Sequence, residues 1–402
     1  MNQGVLYISY DGVLEPLGQS QVVPYLEKLA AGRHIHLISF EKPRDWADRA
    51  RRDAMRERLR RADIGWHPLR YHKSPSALAS AFDIAAGSAR AVTLALTYRV
   101  SIVHARSYVP ALMALAVKRL TGAKFLFDMR GLWADERVDG GLWPKGGALY
   151  RSAKALERRL LLAADQLVTL THASEVELRR FGYLKGRVPP ISVIPTCADL
   201  DRFTIQGPPQ RDPFVLGYVG SVGTWYLLDE MLECFRRLQV YEPKARLLFV
   251  NRREQDWIRQ RTAALGIDSQ VVEIVAADHI DMPCQVERMS AAMALIKPTY
   301  SKIASAPTKL AEYLGCGVPC LGNAGVGDME AILEGRKVGI AVKGFSPSEL
   351  DAGVQRLLKL AAEPGIQHHC RAVAIELFSL DKGVEAYNGI YRALERGASG
   401  ER

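Results

Sequence analysis

The stretch IKPTYSKIASAPTKLAEYLGCGVPCLGNAGVGDME (Ile296–Glu330) decides how this chain folds. AMALIK (Ala292–Lys297) leads into it as an apolar, strand-like run, and VPCLG (Val318–Gly322) inside it is a second. Between the two, Thr308, Lys309 and Glu312 open a helical segment that ends at Gly315 and Gly317. Strand, helix, strand is the βαβ unit, which builds a parallel sheet covered on both faces. Thr308 and Glu312 are four apart and share a helix face. Lys297, Lys302 and Lys309 supply cations for a phosphate, and a carboxylate on the first turns of the helix suits a ribose diol. A capped surface helix carries some of the same features.

The alternation continues in both directions. FVLGYVG (Phe214–Gly220), RLLFV (Arg246–Val250), VVEIV (Val271–Val275) and VGIAV (Val338–Val342) are further candidate strands of the second half, with a helical segment at Leu227–Val240. The first half offers VLYISY (Val5–Tyr10), HLISF (His36–Phe40), SIVHA (Ser101–Ala105), KFLFDM (Lys124–Met129) and QLVTLT (Gln166–Thr171). Helical segments fall near Ser20–Ala31, Tyr108–Leu120 and Ala148–Ala164. ISVIPTCADLDRF (Ile191–Phe203) closes that half, and Pro208, Pro209 and Pro213 mark a linker. The expected fold class is therefore α/β: one Rossmann-like domain over residues 1–200 and a second over 201–383. VEAYNGIYRAL (Val384–Leu394) lies in a C-terminal helix, 384–402, expected to return to the first domain. Doubly wound sheets bind ligands at the carboxyl ends of their strands. Two such domains are expected to turn those ends toward each other across a cleft.

Composition narrows the function. The 402 residues exceed what one core usually organises. No apolar run approaches the roughly 18–20 residues of a membrane span, and the N-terminus lacks the basic start of a signal peptide. The six cysteines are scattered with no CxxC pair, which fits a reduced, cytoplasmic chain. His368, His369 and Cys370 are adjacent, but neighbours on a helix point apart, so no metal is expected there. The net charge of +10 belongs to the first half: residues 1–200 carry 30 Lys and Arg against 19 Asp and Glu. Residues 42–61, KPRDWADRARRDAMRERLRR, read as a basic amphipathic helix with Trp46, Ala50, Met55 and Leu59 on its apolar stripe. Its expected partner is an anionic membrane surface; a solvated, salt-bridged helix is the plain alternative. Nothing resembles a nucleic-acid motif.

Three more segments carry chemistry. In DGVLEPLGQSQ (Asp11–Gln21), Gly18 and Gln19 precede an expected helix start capped by Ser20, an arrangement suited to an anion and also to an ordinary βα turn. FDMRGLWADER (Phe127–Arg137) crowds Asp128, Arg130, Asp135 and Glu136 into the loop after a strand, where reacting groups or a self-neutralising charge cluster sit equally well. GYVGSVGTW (Gly217–Trp225) brings Gly220, Ser221 and Gly223 to the first strand end of the second half, where backbone N–H groups can reach a diphosphate.

With these residues in hand, the chain resembles glycosyltransferase family 4, the retaining family with the GT-B fold. PTKLAEYLGCGVPCLGNAGVGDMEAIL (Pro307–Leu333) is similar to that family's donor-site signature, and LGQSQ, FDMRGLWADER, VIPTCADLDRF and LGYVGSVGTW occur in the family's order over nearly the whole chain. The resemblance implies a UDP- or GDP-linked sugar donor held mainly by the second domain. It implies a saccharide or lipid-linked acceptor on the first, in bacterial glycan or polysaccharide synthesis. It places Glu312 on the nucleotide ribose as the second glutamate of an E-x7-E motif. The first falls on Ala304, so Ser305 and the backbone at Ala306 are expected to take over the sugar contact. The family's arginine and lysine after the first strand of the second domain are absent from GSVGTW; Lys309, then Arg252, are the expected substitutes. Arg130–Gly131 stands where the family carries a His-Asp pair. Asp128, Arg130 and Glu136 are thus expected on the acceptor side, Lys309 at the leaving group, and Gly18, Gln19, Gly220, Ser221, Lys297, Ser305 and Thr308 around the donor. No cofactor is expected, and no metal, because no DxD-like pair appears. A nucleotide-sugar epimerase of the same fold, or a nucleotide-sugar-binding protein without catalysis, remain the alternatives.

Overall fold

The computed structural model describes residues 4–74, 76–210, 212–278 and 280–399. The chain forms two units: Met1–Pro195 with Leu380–Arg402, and Thr196–Ser379. The division falls at Pro195 and Ser379, where the sequence suggests 200 and 383.

The first unit is built on seven strands: β1 (Gly4–Ser9), β2 (Ile35–Glu41), β3 (Ile64–Arg70), β4 (Val100–Arg106), β5 (Lys124–Asp128), β6 (Gln166–Thr169) and β7 (Ile191–Val193). Their order is β3-β2-β1-β4-β5-β6-β7, and each pairs in parallel with its neighbours. All six residues of β1 are buried, as a strand covered by helices on both faces requires. The second unit holds β8 (Val215–Val219), β9 (Arg246–Val250), β10 (Val272–Val275), β11 (Ala291–Ala294), β12 (Cys320–Asn323) and β13 (Gly339–Val342). Their order is β10-β9-β8-β11-β12-β13, again parallel. The strand order reverses between β1 and β4 and between β8 and β11. At such points the flanking loops diverge and leave a crevice beyond the strand ends.

The helix Leu380–Ser399 belongs to the first unit. Tyr387 and Tyr391 drive it into that core, at 4% and 0% exposure. Arg33 fastens it with a 2.5 Å hydrogen bond to the Asn388 side-chain oxygen and an ion pair to Glu395.

Two local expectations change. The helix after β1 starts at Pro16 and comes in two pieces, Pro16–Gln21 and Val23–Leu29. Residues 42–61 also break in two, Pro43–Ala47 and Arg49–Arg61, because the Asp48 carboxylate leaves the helix to accept from the Arg51 N–H at 3.0 Å. Met55 and Leu59, read as an outward stripe, are buried in the unit's own core. Many of the arginines pair locally: Arg56 with Asp53, Arg60 and Arg61 with Glu57, and Arg58 with Glu27. The segment is two surface helices, the longer one largely salt-bridged, and of its stripe Met55 and Leu59 are already used while Trp46 and Ala50 are not buried.

Candidate functional site

At the reversal point of the second sheet, β8 ends at Val219 and the chain turns through Gly220 at φ +119°, a region closed to most side chains. Two residues just past β9 hold this loop. Asn251 donates from its amide to the Gly220 carbonyl at 2.9 Å and to Glu254 at 2.7 Å, and Ser221 donates to Glu254 at 2.8 Å. The loop's N–H groups are therefore set in position before any ligand arrives.

The helix Thr308–Gly315 lies beneath that loop. Tyr313 ties it to the strand by accepting the Val219 N–H at 2.8 Å. Lys309, 8% exposed, donates from Nζ to the Tyr218 hydroxyl at 2.8 Å and lies 4.0 and 3.9 Å from the ring centroids of Tyr218 and Tyr226. A Cβ built on Gly220 would stand 3.2 Å from that Nζ, which places the ammonium directly against the glycine. Glu312, three residues further on, is equally buried. Burial pushes the Lys309 pKa down to about 7 against the opposing charge of Glu312. Burial also pushes Glu312 up to about 7, opposed by Lys309 and Arg202. Two groups that would be fully charged in water are thus held near the midpoint of their titration, a state associated with functional sites.

The other donor-side residues divide. Ser221 stands at the mouth of the loop, and Ser305 and Thr308 are partly exposed beside buried Ala304. Lys297 is exposed just past β11, with its backbone N–H on the Trp225 carbonyl. Lys302 is buried, its Nζ 3.7 Å from the centre of the Trp225 ring. Arg252 is committed elsewhere: Nε donates to the Ala277 carbonyl at 2.7 Å and the guanidinium pairs with Asp278. Of the two expected clamps, Lys309 lies against Gly220 and Arg252 is engaged elsewhere.

The first unit corrects more. Gly18 is inside the helix Pro16–Gln21, where a Cβ would meet the Gly12 carbonyl oxygen at 2.2 Å, so this glycine serves close packing and not an anion loop. Ser20 caps nothing there, and Gln19 donates to the Leu14 carbonyl at 3.1 Å. The preceding loop is shaped by buried Glu41, which accepts the N–H groups of Val13 and Leu14 at 2.9 and 3.2 Å. Asp128, the last residue of β5, is 1% exposed and sealed: Tyr387 donates to it at 3.1 Å, and Arg130 and His104 lie 3.5 and 3.7 Å away. Burial alone would raise its pKa, but Arg130, His104 and Arg106 outweigh that and hold the carboxyl down at about 2. Asp128 anchors the C-terminal helix and presents no face to a substrate. Arg130 and Glu136 keep partial exposure, and Arg106 pairs with half-open Asp11 at 2.7 Å at the first sheet's reversal point. Asp135 is taken by Tyr150 and Lys154, at 2.8 and 2.9 Å. Among the described residues no group of three or more His, Cys, Asp or Glu is placed to hold a metal ion. No helix among them is long and apolar enough to cross a membrane.

Residues that sequence reading passed over carry much of this geometry. Tyr218, Tyr226, Asn251 and Glu254 are ordinary strand and loop residues in sequence; only the fold brings the two tyrosines round Lys309, and the pairing of β8 with β9 brings Asn251 and Glu254 to the Gly220 loop.

Two Rossmann-like units, the second with a preset glycine loop over a buried lysine–glutamate pair at its reversal point, are the architecture of a sugar-transferring enzyme. Residues 21–197 match the glycosyl transferase 4-like domain, and residues 201–372 match glycosyl transferases group 1. The chain belongs to this family and is a glycosyltransferase. No curated protein sequence matches it. Solved structures share its fold. Sucrose-phosphate synthase from Thermosynechococcus elongatus is 16% identical, with a TM-score of 0.73 over 98% of this chain and 100% of that one. HepE from Anabaena, in complex with UDP, is 16% identical with a TM-score of 0.67 over 98% and 100%. A protein described as a UDP-N-acetylglucosamine 2-epimerase from Listeria monocytogenes is 13% identical, with a TM-score of 0.62 over 98% of each chain.

Proposed function

We propose that this glycosyltransferase takes its sugar from a nucleoside diphosphate donor bound on the second unit and passes it, with retention of configuration, to a saccharide or lipid-linked acceptor on the first, in bacterial glycan synthesis. One observation carries the reading: Lys309, buried between two tyrosine rings and against Gly220, with Glu312 one turn further along. A lysine there meets a diphosphate within reach of the Ser221 and Val222 amides, since the Gly220 and Gly223 N–H groups already serve the Val250 carbonyl and the Ser221 hydroxyl, and Glu312 suits the ribose diol. UDP is the favoured nucleotide, because a neighbour of the same fold is solved with UDP and with UDP-glucose.

Chemically, the sugar C1–phosphate bond breaks as the acceptor oxygen bonds to C1 on the same face. The departing diphosphate takes the electron pair and the acceptor's proton. The chain's part is to neutralise the leaving group and fix the acceptor, without a protein nucleophile or a metal. Arg130 and Glu136, both partly exposed, are the acceptor-side groups. Residues 42–61 keep a net charge of +5 and give the first unit a weak hold on an anionic surface, peripheral and without insertion because Met55 and Leu59 face inward.

The experiment is UDP-glucose hydrolysis and binding by the intact chain, with Lys309→Ala, Glu312→Ala and excess EDTA. Each substitution removes a charge-assisted bond of about 1.5–3 kcal/mol and is expected to cost one to two decades in donor use. EDTA is expected to change nothing. Wild-type kinetics in either variant, or activity lost to EDTA and restored by manganese, would overturn the assignment.

A further inference from the structure

The helix Ser76–Thr97, between β3 and β4, is apolar on two sides, and only one of them is buried. Asp83, Ala91, Leu94 and Ala95 form the buried side, none more than 3% exposed. Gly87 lies at its middle, where a Cβ would meet the Met113 sulfur at 2.6 Å and the Phe40 ring at 2.9 Å. The opposite side carries Leu78, Phe82, Ala85, Ala89, Val92 and Leu96. Leu78 is 70% exposed, and Phe82 and Leu96 are 61% exposed. Ala85 and Ala89 are exposed as well, and Val92 is half-buried. A helix that faces only water carries polar residues there. This spacing, alternately four and three, is instead the seven-residue repeat of a helix that packs lengthwise on another.

The surroundings of this seam say what it fits. Ala81, Ala86, Ser88 and Thr93 flank it, and none is charged. The helix holds two charged residues, and both are engaged elsewhere. Asp83 accepts from the Tyr10 hydroxyl at 2.8 Å and the His72 N–H at 3.1 Å, and Arg90 donates to His67 Nδ1 on β3 at 3.2 Å. A helix that lies on a bilayer borders its apolar face with Lys and Arg, and a charged protein partner is met by opposite charge. The seam offers neither, but it matches itself. A second copy turned end over end about the level of Gly87 sets Leu78 against Leu96, Phe82 against Val92 and Ala85 against Ala89. Alanines at the centre let the two axes come close where they cross, and the larger residues fill the space where they diverge. The antiparallel sense also sets the two helix dipoles head to tail.

We infer that this seam is the interface of a homodimer, in which the helices Ser76–Thr97 of two copies pair antiparallel across a twofold axis at the level of Gly87. A twofold interface has to be self-complementary, and the palindromic order of residue sizes supplies that. From Leu78 to Leu96 the seam runs ~27 Å at 1.5 Å per residue. Two seams of this length bury less than the roughly 1,200 Å² of a standard interface, so the dimer is reversible, with a dissociation constant in the micromolar range. The positive excess of the first half opposes it, and added salt tightens it, whereas salt weakens any hold on an anionic surface. The inference rests on the first unit alone and does not depend on the donor assignment.

Sedimentation equilibrium of the intact chain between about 1 and 200 µM reads the association. The wild type is expected to pass from monomer to dimer over that range, and to shift toward dimer in about 0.5 M salt. Ala85→Glu places a carboxylate on either side of the axis and is expected to stay monomeric. Leu78→Glu/Leu96→Glu opposes like charges and is expected to weaken the dimer by about tenfold or more. Leu78→Glu/Leu96→Lys opposes each Glu to a Lys of the second copy and is expected to stay within about threefold of the wild type. All three positions are exposed in the single chain, so an unchanged thermal melt identifies a folded variant. A wild type that is monomeric at about 200 µM in high salt, a dimer that survives Ala85→Glu, or two double variants equally impaired would overturn the inference. A monomer that co-sediments with neutral phosphatidylcholine vesicles would do the same, by giving this face to lipid.

Discussion

Donor binding should move a proton, and the direction should reverse near neutrality. Lys309 is pushed by burial down to about 7, so at pH 8 the free enzyme carries it charged in roughly one molecule in ten. A diphosphate arriving at Gly220 stabilises the ammonium and draws in roughly 0.9 proton per site at that pH. Glu312, raised to about 7, is already ionised at pH 8 and contributes little there. At pH 6 the roles exchange: Lys309 is already charged, whereas Glu312 must lose roughly 0.9 proton to accept from the ribose. Donor affinity should therefore peak near pH 7 and fall by up to about tenfold per unit on either side, about 1.4 kcal/mol each. Calorimetry with UDP-glucose in buffers of differing ionisation enthalpy reads the proton count directly; the sugar diphosphate is a diester and does not itself titrate in this range. Lys309→Arg should flatten the alkaline limb alone and Glu312→Gln the acid limb alone. No proton exchange at pH 8, or an alkaline limb that persists in Lys309→Arg, would refute the reasoning.

Asp128→Asn should destabilise the chain by about 2–3 kcal/mol, read by denaturant unfolding, because it leaves the half-buried Arg130 cation without its counter-charge. In the wild type, the Asp128 contribution, about 2 kcal/mol for a carboxyl lowered from 3.8 to about 2, is present above pH 3.8 and lost as pH falls through 2. The variant should lack that acid step. Gly18→Ala should cost about 1–3 kcal/mol of stability through the contact with the Gly12 carbonyl, with UDP-glucose affinity unchanged; a loss of affinity instead would restore Gly18 to the donor site. Co-sedimentation with anionic vesicles should appear at low salt, vanish with neutral vesicles, and be lost in Arg44→Glu/Arg49→Glu, two exposed positions outside the local ion pairs. Equal binding by wild type and variant would dismiss the segment as a membrane contact.

The alternation of strand and helix was legible because parallel strands buried on both faces read as apolar runs, as in Val5–Ile8 and Leu247–Val250. β3 was not: IGWHPLR carries Pro68 and His67 and is largely half-exposed, which an edge strand tolerates and a central one does not. The helix Thr308–Gly315 was legible to the residue, since Pro307 and Gly317 punctuate it. Its cage was not, because Tyr218 and Tyr226 are distant from Lys309 in sequence and meet it only through the sheet. Asp128 misled for the complementary reason. A loop dense in charge after a strand looks catalytic, and nothing local reveals that Tyr387 closes over it.

The first unit is assembled from both ends of the chain, and the second is an insertion whose entry and exit lie side by side: Ala198 bridges to Ser379, and its N–H bonds to the Phe378 carbonyl at 2.9 Å. On the ribosome this sets an order of events. Residues 4–195 emerge first but cannot finish folding, since His104 and Asp128 wait for Tyr391 and Tyr387 to supply their partners. The second unit can complete while those polar groups remain open. A released chain ending at residue 379 should therefore yield a protease-resistant fragment of the later-made half and a cleavable earlier one, reversing the usual order of vectorial synthesis.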